Sequence, residues 1–291
     1  AMSRPAWPAP LPKPPNIDRS GPVDYAALYA DHADAEILVN TTPVGMYPNN
    51  GASPADLKRL PNLLGVADVV YNPEKTALVL DALERGIPAV SGLPMLVAQA
   101  REAAELFSGR DIPEPAGEAV LREIRGQTLN LVLIGMPGCG KSSLGEAVAR
   151  AMGRPFVDCD AEIAARAGMP VPEIFARFGE ARFREMETEV LRDACRESGR
   201  VIATGGGSIL RAENVRAMRQ NGRVCFIRRA IEALPRDGRP LSSASTDAVR
   251  KLWDERRERY IAAGDFAVDN NSTLSDAAAR IQEGFYEAVG H

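Results

Sequence analysis

Hydrophobic residues along this chain follow two habits. Some gather in short unbroken runs: Glu36–Asn40 (EILVN), Val66–Tyr71 (VADVVY), Ile87–Val90 (IPAV) and Leu129–Ile134 (LNLVLI). Others recur at helical spacing, over Asp24–His32, Thr76–Arg85, Pro94–Phe107, Ala181–Glu197 and the stretch DAVRKLWDERRERY ending at Tyr260. Unbroken runs of strand length suit parallel strands buried on both faces, and a 3.6-residue recurrence suits amphipathic helices. Their alternation predicts βαβ units and parallel sheets. Asn72-Pro73, Gly86 and Ser108-Gly109 supply the stops. The first unit holds only three strands, so one sheet edge is expected to lie open.

Composition divides the chain. Of its 22 prolines, 16 lie in residues 1–125 and six within the first fifteen. Proline lacks the amide donor and restrains its neighbour, so residues 1–19 are expected to form an extended, disordered arm. Residues 1–125 carry 11 Lys+Arg against 16 Asp+Glu, and the remainder 24 against 23. This asymmetry supports two units, residues 20–110 and 128–291, the second better suited to anionic ligands. Between them, 111–127 (DIPEPAGEAV and onward) is read as a linker, with a short helical turn at Leu121–Arg125. Ala1-Met2 reads as one leftover residue ahead of a native start.

Several function classes drop out. A net charge of −4 without basic blocks gives no case for nucleic acid, and no apolar run is long enough to span a membrane. The two histidines, His32 and His291, leave no material for histidine bases, Ser-His-Asp triads or His-built zinc sites. Four cysteines without a C-x-x-C pair, and no secretory signal, suggest reduced thiols and a cytoplasmic protein.

The chemistry sits after the LNLVLI run. There Gly135-Met136-Pro137-Gly138-Cys139-Gly140-Lys141-Ser142-Ser143 opens a helical pattern, giving G-x-x-x-x-G-K-[ST] between a strand and a helix. A triphosphate needs many backbone N–H donors from a tight loop, and the helix N-terminus adds partial positive charge. Lys141 then reaches the β- and γ-phosphates, and Ser142 ligates Mg²⁺. No N-K-x-D base-reading motif occurs, and neither RVIATGGG nor RVCFIRR ends in the acid many ATPases place there. The acids fall instead in Asp158-Cys159-Asp160, after the short strand Pro155–Val157, where both are expected to face the loop; a plain helix N-cap is the competing reading. Gly205-Gly206-Gly207 ends the strand VIAT, so backbone can approach a ligand there. Arg184 with Glu187, Arg239 in a turn-rich lid and Arg256 on a late helix suit a small acidic substrate and a migrating phosphoryl group.

GMPGCGKSS, DCD, EIFARFGEARFREME, ATGGGS, GRPLS and R-x-x-x-Y at Arg256–Tyr260 together resemble shikimate kinase over residues 128–291. The resemblance implies a P-loop kinase domain with a five-stranded parallel sheet, monomeric, transferring the γ-phosphate of ATP to the 3-hydroxyl of shikimate with Mg²⁺. By position, it implies that Asp160 holds the substrate hydroxyls and is placed as base, while Arg184 and Arg256 grip the shikimate carboxylate beside Gly206. Asp158 and Ser142 serve magnesium, Lys141 and Arg239 the transferring phosphate, and Glu187 braces Arg184. The lid departs from the family in having Leu-Ser after Pro240. The adenine-contacting arginine expected near FAVDNNST is missing, which leaves Arg236.

EILVNTTPVGMYP, DVVYNPEKT and SGLPMLVAQA resemble the closing half of the shikimate dehydrogenase cofactor domain, over about residues 30–110. In that family the residues matching Tyr71 and Gln99 touch shikimate, and the one matching Met95 lies near the nicotinamide. Residues 1–125 contain no G-x-G-x-x-G turn for a pyrophosphate and no catalytic Lys and Asp of the preceding domain. The small Rossmann-like unit is therefore expected to be an inactive remnant or a piece of a longer fusion. A bifunctional dehydrogenase–kinase and a non-catalytic module for self-association are the alternatives.

Overall fold

Residues 24–234 and 246–290 are described by a computed structural model. The lid arginines Arg236 and Arg239, the GRPLS motif and the arm 1–19 lie outside them. In the first unit, α1 (Tyr25–Asp31) starts where the Asp24 side chain accepts from the Ala27 amide. Strands β1 (Ile37–Asn40), β2 (Gly65–Asp68) and β3 (Ala89–Val90) form a parallel sheet in the order β1-β2-β3. Helix α2 (Ala77–Glu84), capped by Thr76, covers one face through Leu78 and Ala82, which pack with Leu57, Leu60, Leu63 and Val66. Ile37 and Val39 alternate to the other face and are more than half exposed. α3 (Gly92–Ser108) ends at Gly109 in the left-handed conformation.

The expected linker is mostly a helix, α4 (Glu114–Thr128). Proline at a helix's first turn forfeits an amide that has no partner anyway, so Pro113 as N-cap and Pro115 just inside start the helix rather than prevent it. α4 lies against α3, with Gly117 next to Val97 and Arg101.

The second unit is built on five parallel strands: β4 (Asn130–Ile134), β5 (Phe156–Asp158), β6 (Val201–Ala203), β7 (Gly222–Arg228) and β8 (Phe266–Asp269), in the order β5-β6-β4-β7-β8. Between them run α5 (Lys141–Met152), α6 (Cys159–Ala167), α7 (Val171–Arg196), α8 (Ala212–Gln220) and α9 (Thr246–Ala263), with α10 (Leu274–Val289) last. β4 is central and buried throughout, as its unbroken apolar run predicted. Each of its Leu, Ile and Val side chains contributes about 1.5–3 kcal/mol by leaving water. α7 is longer than expected, and Gly179 breaks it with φ 77° and ψ 172°. The stretch predicted as helix is the part beyond that break.

The first unit holds the end of this sheet opposite the P-loop. Glu74 pairs with Arg223 at the start of β7 and with Arg125 of α4. Lys75 donates its amide to the Gln220 carbonyl at 2.8 Å, and Arg216 pairs with Asp81 and Glu84.

Candidate active site

The C-terminal ends of four strands converge on one cavity of about 510 Å³. β4 delivers the P-loop, β5 the acids, β6 the glycine triplet, and β7 an arginine just past its end. Ligands of open parallel sheets gather at this end because loops and helix N-termini open there.

Gly140 precedes α5 with φ 98°, a conformation that glycine adopts without steric cost. Pro137, Gly138, Gly140, Lys141, Ser142 and Ser143 line the cavity. Gly135, Met136 and Cys139, the other loop residues expected to meet the nucleotide, do not line it. Met136 and Cys139 are buried in the core, so their side chains anchor the loop from behind. The Lys141 ammonium donates to the carbonyls of Gly135 and Met136 at 2.9 and 3.1 Å.

Asp158 caps a helix and meets the P-loop with different atoms. Asp158 Oδ1 accepts from the amides of Asp160 and Ala161, capping α6, while Oδ2 accepts from Ser142 Oγ at 2.5 Å. The two acids do not share one strand. Asp158 closes β5 and Asp160 sits in the first turn of α6, yet both line the cavity.

On the acceptor side, Arg184 Nη1 donates to Glu187 Oε2 at 2.7 Å, and Glu187 Oε1 accepts from Ser208 Oγ at 2.7 Å. Burial disfavours the charge of Arg184, but Glu187 and Glu180 outweigh it and hold the guanidinium above its usual range. Arg256 is 5% exposed and donates to the Gly206 carbonyl at 3.1 Å; its Nε, also buried, has no hydrogen-bond partner among the described residues. The Tyr260 hydroxyl donates to the same carbonyl, and burial raises its pKa. Side chains in the triplet would displace the site's own groups: a Cβ on Gly205 would collide with Glu187 Oε1, one on Gly206 would lie 2.7 Å from the Pro137 ring, and one on Gly207 would collide with the Arg184 guanidinium.

The sequence reading missed part of this wall. Val171, Pro172, Phe175 and Phe183 line the cavity's apolar side, with the two phenylalanine rings 4.4 Å apart. Their signal was the EIFARFGEARF stretch itself, in which apolar residues interrupt charged ones. Thr204 and Arg229 also line the cavity. Where an arginine was sought after the last strand, Asn270 stands instead, donating to the Cys139 carbonyl at 2.8 Å and bracing the P-loop. Tyr71, Met95 and Gln99 of the first unit are all exposed and outside this cavity.

A parallel sheet with a phosphate loop, a capped aspartate beside its serine, and arginines facing it across one cavity defines a P-loop kinase acting on a small molecule. A family model described as shikimate kinase matches residues 137–285, and one described as shikimate 5'-dehydrogenase C-terminal domain matches residues 92–122. Shikimate kinase of Bordetella pertussis is 38% identical over 151 residues, 50% of this chain and 72% of the relative. That of Moorella thermoacetica is 39% identical over 156 residues, 52% of this chain and 90% of the relative. The solved shikimate kinase from Acinetobacter baumannii in complex with shikimate superposes with a TM-score of 0.54 and 29% identity, over 57% of this chain and 97% of that one. The chain belongs to the shikimate kinase family.

Proposed function

We propose that this chain transfers the γ-phosphoryl group of ATP to the 3-hydroxyl of shikimate, with the P-loop holding the nucleotide and Asp160 facing the acceptor. The observation that carries this reading is the shared cavity: the phosphate loop, both aspartates, Arg184, Arg256 and the glycine triplet all line it. Arg184 and Arg256 grip the substrate carboxylate. Asp160 accepts the proton of the 3-hydroxyl as that oxygen bonds to phosphorus, and ADP leaves with the electrons of the broken P–O bond. Lys141 and the loop amides neutralise the phosphates, and the resemblance adds Arg239 for the transferring phosphate and Arg236 for the adenine. Ser142 Oγ and Asp158 Oδ2, 2.5 Å apart at the loop, are hard oxygen donors of the kind Mg²⁺ takes. When bound, the ion neutralises charge on the phosphate oxygens. Little covalent chemistry is asked of the protein; positioning and charge suffice.

The first unit we read as non-catalytic, occupying about residues 20–110 as a domain of its own. It holds the far end of the kinase sheet, and its β1 edge, with Ile37 and Val39 exposed, is the surface for any self-association. Four buried free thiols fit a cytoplasmic setting. Coupled ADP release tests the main reading: release should require shikimate, and release that ignores shikimate would overturn it.

A further inference from the structure

We propose that Arg229 is a further phosphate-contacting residue, engaging the γ-phosphoryl oxygens of the bound nucleotide. The assignment rests on the kinase reading above and adds a cation to it that neither the motifs nor the expected lid supply.

Arg229 follows directly on β7, and its neighbours are fixed. The Arg228 carbonyl accepts from the Asn270 amide at 2.7 Å, its guanidinium pairs with Asp269 at 2.8 Å, and the Ala230 amide donates to Asn271 Oδ1 at 3.3 Å. Arg228 thus turns to the neighbouring strand β8, and Arg229 lines the cavity. Half-buried there, it has no hydrogen-bond or ion-pair partner among the described residues. The other described cations of the cavity each have a protein partner as well: Arg184 has Glu187 and Glu180, Arg256 the Gly206 carbonyl, Lys141 the loop carbonyls. A guanidinium held in a concave site without a carboxylate is equipped to take an anion, and its planar fork matches phosphate oxygens.

Position selects the phosphate over the substrate carboxylate. β7 pairs with β4, with Phe226 beside Ile134, so the next residues of the two chains run on side by side. A Cβ on Gly135 would lie 2.5 Å from the Ile227 carbonyl, which places the opening of the P-loop directly against the backbone two residues before Arg229. The same loop packs its Pro137 against Gly206, the seam between nucleotide and acceptor. Arg184 stands beyond that seam, over Gly207. Arg229 is therefore mounted on a strand end beside the P-loop.

The test uses the full chain with Arg229→Gln and Arg229→Lys, each checked for an unchanged melting midpoint. Calorimetry with Mg²⁺ and either the β,γ-imido analogue of ATP or ADP, beside steady-state kinetics, reads the contact. Arg229→Gln should weaken the triphosphate analogue about tenfold or more, change ADP by less than about threefold, lower kcat, and leave the shikimate KM within about twofold. Arg229→Lys should recover part of the triphosphate affinity. Equal loss for ADP and the analogue, no loss for either, or a change confined to the shikimate KM would each overturn the assignment. If the wild type binds the analogue yet releases no ADP with shikimate, the acceptor reading fails while the calorimetric comparison still judges Arg229.

Discussion

Glu74 and Arg223, 149 positions apart, form a two-pronged ion pair at 2.7 and 3.3 Å, with both side chains no more than 7% exposed. Arg125 Nε closes on the same carboxylate at 2.7 Å, and Arg223 also donates to the Ala288 carbonyl. Three segments thus meet at one buried charge: the dehydrogenase-like unit, α4 and the kinase sheet. Burial alone would raise the Glu74 pKa, but Arg223 and then Arg125 outweigh it and hold the carboxyl below its ordinary 4.5.

Removing that charge leaves two arginines facing each other across an uncharged group. Glu74→Gln should cost on the order of 3 kcal/mol at neutral pH, read as a lower melting midpoint. Because the folded-state pKa is lowered, the stabilisation is whole above the unfolded value and drains as pH falls through the folded one. The gap between wild type and variant should therefore narrow below about pH 4.5; a gap that stays constant into acid would separate the stability from this carboxylate.

Lys141→Ala should abolish shikimate-dependent ADP release while leaving the fold intact, since among the described residues its ammonium bonds only within the loop, to the Gly135 and Met136 carbonyls and to Cys139 Sγ. Turnover retained within about tenfold would remove Lys141 from the phosphate site.

Asp160→Asn keeps the shape of the first turn of α6 but cannot take a proton. Most of kcat should vanish, with the ATP KM little changed. A loss confined to ATP binding would transfer Asp160 to the metal, beside Asp158.

Arg184→Ala should raise the shikimate KM far more than the ATP KM. Glu187→Gln, which removes the charge that holds Arg184, should move the same constant in the same direction by less. Equal rises in both KM values for Arg184→Ala would place it on the nucleotide.

Much of this was legible in the sequence because the signals were local. LNLVLI announced a central strand, and the loop behind it announced its chemistry by spacing alone. α4 was misread because DIPEPAGE carries the residues of a linker; its prolines fall only where a helix tolerates them, and its packing against α3 comes from tertiary structure. The pairing of Asp158 with both a cap and Ser142 needs two elements 16 residues apart, so periodicity placed the acids near the site without saying which atom serves which role. Arg229 and Asn270 carried no motif. Strand register put them beside the P-loop, and register across β4, β7 and β8 is not written in any single segment.

The most direct test is a crystal structure of the chain with Mg²⁺, ADP and shikimate. The 3-hydroxyl of shikimate should lie within hydrogen-bond reach of Asp160, its carboxylate between Arg184 and Arg256, and the diphosphate on residues 135–142. Shikimate bound elsewhere, or turned so that its carboxylate faces Asp160 and its hydroxyls the arginines, would contradict the account.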